Sequence, residues 1–197
     1  MIRLFIAGEG PNELGDWARH PSYREAPLRP GVLTVLLAQA APAENWRIEG
    51  AAMWKSLRKY QAGFGLKSGR AEQRNVTALM LRAEEEGVDV VAFSRDRDGD
   101  RDREITILDA VSQYAGHVPI VGGVAVERLE SWLLALSGHI GSESNRRPEQ
   151  SLSELGIGTT AEMVAFVEAM GIERIPQDAN SLRTWLDRAS SVLGGST

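Results

Sequence analysis

An acidic run near the middle of the chain carries the residues best suited to chemistry. Four aspartates, Asp96, Asp98, Asp100 and Asp102, occupy alternate positions there, separated by arginines or by Gly99. In an extended chain alternate residues share a face, so we expect Asp96 and Asp98, and Asp100 with them, to point the same way. Carboxylates that converge repel one another unless a cation lies between them. Because all the donors are oxygens, the run predicts a site for Mg²⁺, Mn²⁺ or Ca²⁺ and not for zinc.

The same run is also typical of a solvated loop. Aspartate and arginine side chains can neutralise each other there, and exposed ion pairs contribute only about 0–1 kcal/mol to stability. Both interpretations stay open for the run taken alone. An EF-hand is excluded, because that loop requires glycine at its sixth position. Counted from Asp96, the sixth residue is Arg101.

A second candidate, Glu9, comes just after the mostly apolar residues 2–7 and is flanked by Gly8 and Gly10. Glycines at these positions let a ligand approach the backbone closely. They also suggest a dinucleotide-binding fingerprint, but Glu13 occupies the third glycine position, where its charge would repel a pyrophosphate. Lys67 likewise does not belong to a P-loop, since Leu66 stands where a glycine should precede the lysine.

Two apolar runs predict buried strands of a parallel sheet. Residues 2–7 precede Glu9, and residues 88–94, almost continuously apolar or β-branched, precede the acidic run. The carboxyl ends of parallel strands lie at one edge of the sheet, which is where open α/β folds place their ligands. We therefore expect Glu9 to lie near Asp96 and Asp98.

Strands and helices alternate before residue 140, which predicts an α/β fold with a Rossmann-like, mostly parallel sheet flanked by helices. Only helices are expected after residue 147. We predict a metal-binding α/β domain over 1–140 and an all-helical C-terminal extension over 148–193. Besides the two runs above, a strand is expected at 118–121, and helices at 32–41, 71–86, 105–115, 127–136, 148–155, 160–170 and 180–192.

The composition is that of an ordinary globular protein. The 197 residues include no cysteine and carry a net charge of −5. The missing cysteines exclude a disulfide framework and predict a reducing, cytoplasmic location. No apolar run approaches the ~20 residues needed to cross a bilayer, and the first residues are too quickly polar for a signal peptide.

One segment departs from this acidic balance. Residues 46–74 contain seven basic residues against two acidic ones, and they include all three lysines of the chain. Such a segment fits a surface that faces phosphates, although a solvated helix face has a similar composition. The candidate nucleic-acid-binding residues are Lys55, Arg58, Lys59, Lys67, Arg70 and Arg74.

A glutamate after the first strand, followed later by Asp-x-Asp after a hydrophobic strand, resembles the TOPRIM domain of topoisomerases, primases and OLD-type nucleases. The chain is also similar to small stand-alone bacterial TOPRIM-like proteins. It matches their motifs with Glu9-Gly10-Pro11-Asn12-Glu13 and with Glu130-Ser131-Trp132-Leu133-Leu134-Ala135. The resemblance covers about residues 1–136 and leaves the helical extension outside.

The resemblance implies a role for each acidic residue. Glu9 would be a metal-associated residue that also serves as general acid or base, and Asp96 and Asp98 would be Mg²⁺ ligands. Either Glu127 or Glu130 would complete a second metal position. Two metals about 3.5–4 Å apart would activate a water molecule and stabilise the leaving oxygen of a phosphodiester.

The acidic run departs from the family pattern in one respect. The acidic run is more crowded than the family pattern, so Asp100 and Asp102 either compete for metal or belong to a surface loop.

The resemblance also implies roles for groups outside this run. Lys67 or Arg70 would neutralise charge that develops in the transition state. No tyrosine has the context of a topoisomerase nucleophile, so water is the expected attacking group.

Three functions follow from these observations. The first is a Mg²⁺- or Mn²⁺-dependent nuclease, as part of a bacterial defence or DNA-repair system. The second is a non-catalytic module that binds metal and nucleic acid or nucleotide and acts with a partner protein such as an ATPase. In the third, the acids only form ion pairs. The helical extension leaves room for a homodimer, and no membrane partner is expected.

Overall fold

The computed structural model describes residues 1–19, 28–114 and 117–194. These residues form four strands: β1 (Ile2–Gly8), β2 (Trp46–Met53), β3 (Val90–Asp96) and β4 (Ile120–Ala125). They also form nine α-helices: α1 (Pro11–Leu14), α2 (Val32–Ala40), α3 (Leu57–Gly63), α4 (Ala71–Glu86), α5 (Arg101–Gln113), α6 (Leu129–Leu136), α7 (Pro148–Glu154), α8 (Thr160–Ala169) and α9 (Asn180–Leu193).

All four strands are parallel, and they lie in the order β2-β1-β3-β4. The two strands expected from apolar runs, β1 and β3, form the central pair. Ala7 of β1 lies opposite Ala52 of β2 on one side and Phe93 of β3 on the other. The α/β fold with a parallel sheet flanked by helices is thereby confirmed, and β1 and β3 end at the same edge.

The sheet separates two hydrophobic cores, because successive side chains of a strand point to opposite faces. Leu4 and Ile6 face one core, which contains residues of α2, α6, α8 and α9. Phe5 faces the other, which contains residues of α3, α4 and α5. The indoles of Trp132 and Trp185 are buried in the first core with centroids 5.8 Å apart. The C-terminal helices thus pack into the same core as the sheet, and the division into two domains stays a prediction.

Helix α4 begins and ends where the sequence predicts. It stops at Gly87, whose φ of 61° lies in the left-handed region that glycine adopts without strain. The amide of Gly87 donates to the carbonyls of Ala83 and Glu84, which closes the last turn. The end of α4 therefore fixes the entry into β3.

Several elements differ from the sequence expectations: α3 was not expected, and β4 covers Ile120–Ala125 and not residues 118–121. The pattern misses β2, because this edge strand contains Arg47, Glu49 and Gly50 and only part of it is buried. Helix α5 begins at Arg101 and not at residue 105, because the carboxylate of Asp100 caps its first turn. The acidic run is therefore extended only as far as the end of β3. Within the described ranges, none of the helices has the length and apolar character needed to cross a membrane.

Candidate active site

The ends of β1 and β3 bring Glu9 and Asp96 together. Glu9 follows β1 directly, and Asp96 is the last residue of β3. The Glu9 carboxylate accepts a hydrogen bond from the backbone N–H of Asp96 at 3.1 Å and another from the guanidinium of Arg95. The carboxyl edge of a parallel sheet thus positions the two acids, which lie 87 residues apart in the chain.

A cleft of about 520 Å³ opens at this edge and is called here the acidic cleft. Four elements, α1, β3, α6 and α8, build it together with the loops that follow β1 and β3 and the residue before α6. A cation, Arg128, stands among the acids, and Thr160 of α8 donates a hydrogen bond from its hydroxyl to Asn12 at 2.8 Å. The acidic residues that line the cleft are Glu9, Glu13, Asp96, Asp98 and Glu130.

Asp96 is the most perturbed acid of the acidic cleft. Its carboxylate accepts a hydrogen bond from the backbone N–H of Leu129 at the start of α6, at 2.9 Å. Burial raises the pKa of Asp96 to about 7, and repulsion from Glu13, Glu130 and Asp98 adds to the shift. Asp96 is therefore close to half-protonated at neutral pH. The cleft disfavours the negatively charged form of this carboxyl.

Glu13 is a cleft residue to which sequence reasoning assigned no role. Only 5% of its surface is exposed, and its carboxylate accepts a hydrogen bond from the N–H of Gly10 at 3.0 Å. Burial raises the pKa of Glu13 to about 6, with a further contribution from the charge of Glu130. The sequence contained a signal, since Glu13 ends the Glu9-Gly10-Pro11-Asn12-Glu13 motif and lies four residues after Glu9.

Arginines neutralise the other side of the acidic cleft. Asp98 accepts a hydrogen bond from Arg103 at 2.7 Å and lies 3.5 Å from Arg128. Arg95, which binds Glu9, also lies 3.2 Å from Glu72. Asp98 itself has a positive φ of 52°, so the chain turns after β3 and the expected alternation of faces ends there.

The residues of the acidic cleft fit Mg²⁺ or Mn²⁺ in donor type but not in arrangement. All the donors are carboxylate oxygens, which these cations prefer. Across the part of the chain that the structure describes, no three histidine, aspartate or glutamate side chains are placed so that they could hold a metal ion. The arginines bound to Glu9 and Asp98 occupy two of the five acids. A metal would therefore require the carboxylates of the cleft to move closer together.

Two predicted metal ligands lie outside the acidic cleft. The carboxylate of Asp100 accepts hydrogen bonds from the backbone N–H groups of Asp102 at 3.0 Å and Arg103 at 3.1 Å, so it caps α5. Glu127 binds the guanidinium of Arg97 and does not line the cleft. Of the alternatives Glu127 and Glu130, only Glu130 lies in the acidic cleft.

The candidate nucleic-acid-binding residues separate into two groups. Lys55 and Arg58 line a pocket of about 270 Å³ that also contains Glu9 and is called here the basic pocket. Arg70 instead binds the hydroxyl of Thr106 at 3.0 Å. The remaining predicted cations also lie outside both the basic pocket and the acidic cleft: Arg74, which donates to Gln61 and to the carbonyl of Gly69, and the exposed Lys59 and Lys67.

The cation that lines the acidic cleft is thus Arg128 and not Lys67. Sequence reasoning missed it because its position depends on how α6 packs against the sheet, which no local pattern reports. No protein-family model matches the chain, and the chain matches neither a curated protein nor a solved structure.

Proposed function

We propose that the chain is a divalent-metal-dependent nuclease whose acidic cleft hydrolyses phosphodiester bonds. One observation carries this proposal: five carboxylates from three segments of the chain line one cleft, and burial and mutual repulsion hold the pKa of Asp96 at about 7. Such an arrangement costs stability, so it suits a site that gains a cation when it acts. The resemblance to TOPRIM domains in the first and third strands supports the same function.

After a rearrangement of the cleft side chains, the proposed ligands of Mg²⁺ or Mn²⁺ are Asp96, Glu13 and Glu130, with Asp98 joining them once it releases Arg103. When bound, the metal would activate water and stabilise charge on the phosphate oxygens. Glu9 accepts the N–H of Asp96, so it positions the end of β3 and lies within reach of a substrate in either adjoining pocket.

Arg128 supplies positive charge at the acidic cleft. Its guanidinium lies 3.5 Å from Asp98 and 3.7 Å from Glu149, and about half of its side chain, 48%, is exposed. An exposed cation among acids can face a phosphate and stabilise the charge that develops on it. We propose this role for Arg128 in place of Lys67. Nucleic acid is then the partner, in the cytoplasm, with a protein such as an ATPase as a further partner.

A second candidate function is a module that binds metal and nucleic acid without turnover. The ion pairs of Glu9 with Arg95 and of Asp98 with Arg103 favour it, because these acids are already neutralised. In that case a partner protein would have to rearrange the acidic cleft before any cleavage. Binding without cleavage would distinguish this module from the nuclease.

The test is cleavage of plasmid, single-stranded DNA and RNA with Mg²⁺, Mn²⁺ or EDTA. Asp96→Asn keeps the shape and a hydrogen-bond acceptor for Leu129, and we expect it to reduce metal-dependent cleavage at least ~100-fold, more than the loss of an outer-shell group. The matched control is Asp109→Asn, an exposed carboxylate of α5 away from the cleft. Equal cleavage by Asp96→Asn and wild type would refute the proposed site.

A further inference from the structure

Three depressions adjoin one another along the carboxyl edge of the sheet. The acidic cleft shares Glu9 with the basic pocket on one side. On the other side it shares Pro11 and Thr160 with a third pocket of about 420 Å³. Neighbouring pockets share lining residues, so the three lie in a row, with cations at one end, acids in the middle and apolar groups at the other end. This row of pockets is called here the groove.

The basic pocket offers unneutralised positive charge. Lys55 follows β2, and Arg58 lies three residues later in α3, so both side chains extend from the same side of this turn. Both are exposed, and neither forms an ion pair or hydrogen bond with any residue the structure describes. Two free cations beside an acidic centre suit a phosphate next to the one that reacts.

The third pocket, called here the apolar pocket, has walls of small and hydrophobic groups. Its walls include Pro11, Pro30, Ala161, Val164 and Ala165, and charged side chains stand among them. A volume of about 420 Å³ is large enough for a planar heterocycle. Apolar walls with a few polar groups at the rim suit a nucleobase, which presents two apolar faces and polar edges.

We propose that this groove binds single-stranded nucleic acid, with an unstacked base in the apolar pocket and a neighbouring phosphate at Lys55 and Arg58. The inference rests on the proposed nuclease function and adds its substrate class. A duplex keeps its bases stacked and paired, so it cannot fill the apolar pocket without extruding a base. The two end pockets of the groove therefore favour single strands over duplexes, while the acidic cleft performs the chemistry.

The first experiment measures fluorescence anisotropy of labelled 12-mers, single-stranded and duplex, DNA and RNA, with Ca²⁺ in place of Mg²⁺. We expect the single strand to bind at least ~10-fold more tightly than the duplex. Ala161→Leu/Ala165→Leu fills the apolar pocket from the exposed side of α8, and should remove this preference. The matched control is Ala169→Leu, which lies on the same helix, exposed and outside the pocket.

The second experiment measures the salt dependence of single-strand binding for Lys55→Ala/Arg58→Ala. We expect the slope of log K against log salt to fall by about 0.7 for each phosphate that the variant no longer neutralises. Lys59→Ala/Lys67→Ala removes the same charge outside the groove and should change the slope less.

The outcomes separate this inference from the nuclease function. A single-strand preference that disappears in the filled variant supports the inference even if nothing is cleaved. Equal binding of single strands and duplexes, or a filled variant that behaves like wild type, overturns it even if metal-dependent cleavage occurs. Absence of binding to every oligonucleotide overturns it as well.

Discussion

Asp96 and Asp98 are two residues apart, yet they belong to opposite environments. Asp96 ends β3 among Glu13 and Glu130, and burial with repulsion raises its pKa to about 7. Asp98 lies in the following turn, where Arg103 and Arg128 neutralise it. The difference teaches that one acidic run serves two purposes: Asp96 is buried among other acids of the cleft, whereas Asp98 pairs with arginines at the cleft and Asp100 caps α5.

The same contrast extends to the neighbouring acids. Glu13 and Glu130 lie with Asp96 in the acidic cleft, whereas Asp100 and Glu127 satisfy the backbone of α5 and the guanidinium of Arg97. The metal interpretation and the ion-pair interpretation of the run are therefore not exclusive. Each describes a different set of side chains, and substitutions in the two sets should have opposite consequences.

The largest expected difference concerns Glu130 and Glu127. If the acidic cleft is the catalytic site, Glu130→Gln should reduce metal-dependent cleavage at least ~100-fold, more than the loss of a group that only supports a ligand. Glu127→Gln should leave cleavage within about threefold of wild type, since Glu127 faces Arg97. Initial rates at saturating Mn²⁺ measure both. A larger loss of cleavage in Glu127→Gln than in Glu130→Gln would mean that Glu127, and not Glu130, belongs to the catalytic site.

The next prediction concerns how the free energy of unfolding depends on pH when EDTA keeps the protein free of metal. Below pH 3.8, its ordinary pKa, Asp96 is protonated in the folded and unfolded chain and contributes nothing. Between that pH and about 7 the unfolded chain releases the proton while the folded protein keeps it, which favours unfolding. The free energy of unfolding should therefore fall as pH rises from about 4 to about 7, and stay low above it.

Asp96→Asn should remove most of this fall and stabilise the metal-free protein at pH 8 by about 2 kcal/mol, a value discounted from 1.36 kcal/mol per pKa unit. Urea unfolding from pH 4 to pH 8 measures it. Asp109→Asn is the control and should show the wild-type dependence. A destabilised Asp96→Asn at pH 8 would mean that the carboxylate is favourably paired in the fold.

The central elements could be predicted from sequence because their signals are local. The apolar runs predicted β1 and β3, and Gly87 predicted the end of α4. β2 was missed because an edge strand with Arg47 and Glu49 lacks the continuous apolar character of a buried strand. The start of α5 was missed because its first turn is charged throughout, which hides the helical period.

The candidate site was predictable only where chain position determines it. The ends of adjacent parallel strands meet, so Glu9 and Asp96 could be brought together from sequence alone. Glu13 and Arg128 could not be assigned, because their place depends on how α1 and α6 dock against the sheet. Asp100 was assigned to the same face as Asp96 on the assumption of an extended chain, which the helix at Arg101 overturns.

A smaller effect is expected at the helix cap. Asp100→Ala removes the side chain that accepts from the N–H groups of Asp102 and Arg103, and should destabilise the protein by about 1 kcal/mol, the usual cost of removing an N-cap. Asp100→Ser keeps an acceptor and should restore most of this loss. Urea unfolding measures both variants. Loss of cleavage without loss of stability in Asp100→Ala would instead make Asp100 a metal ligand.

The smallest effect is expected at Asp98, and its sign decides the comparison. Asp98→Asn weakens two ion pairs of a side chain that is 40% exposed, so it should destabilise the metal-free protein by about 0.5 kcal/mol at pH 8. Asp96→Asn should stabilise the protein under the same conditions, although both substitutions remove one carboxylate from one cleft. Parallel urea titrations with 1 M NaCl added should remove the Asp98 effect by screening. If both variants shift stability in the same direction, the two aspartates share one environment, and the division of the run into cleft acids and loop acids fails.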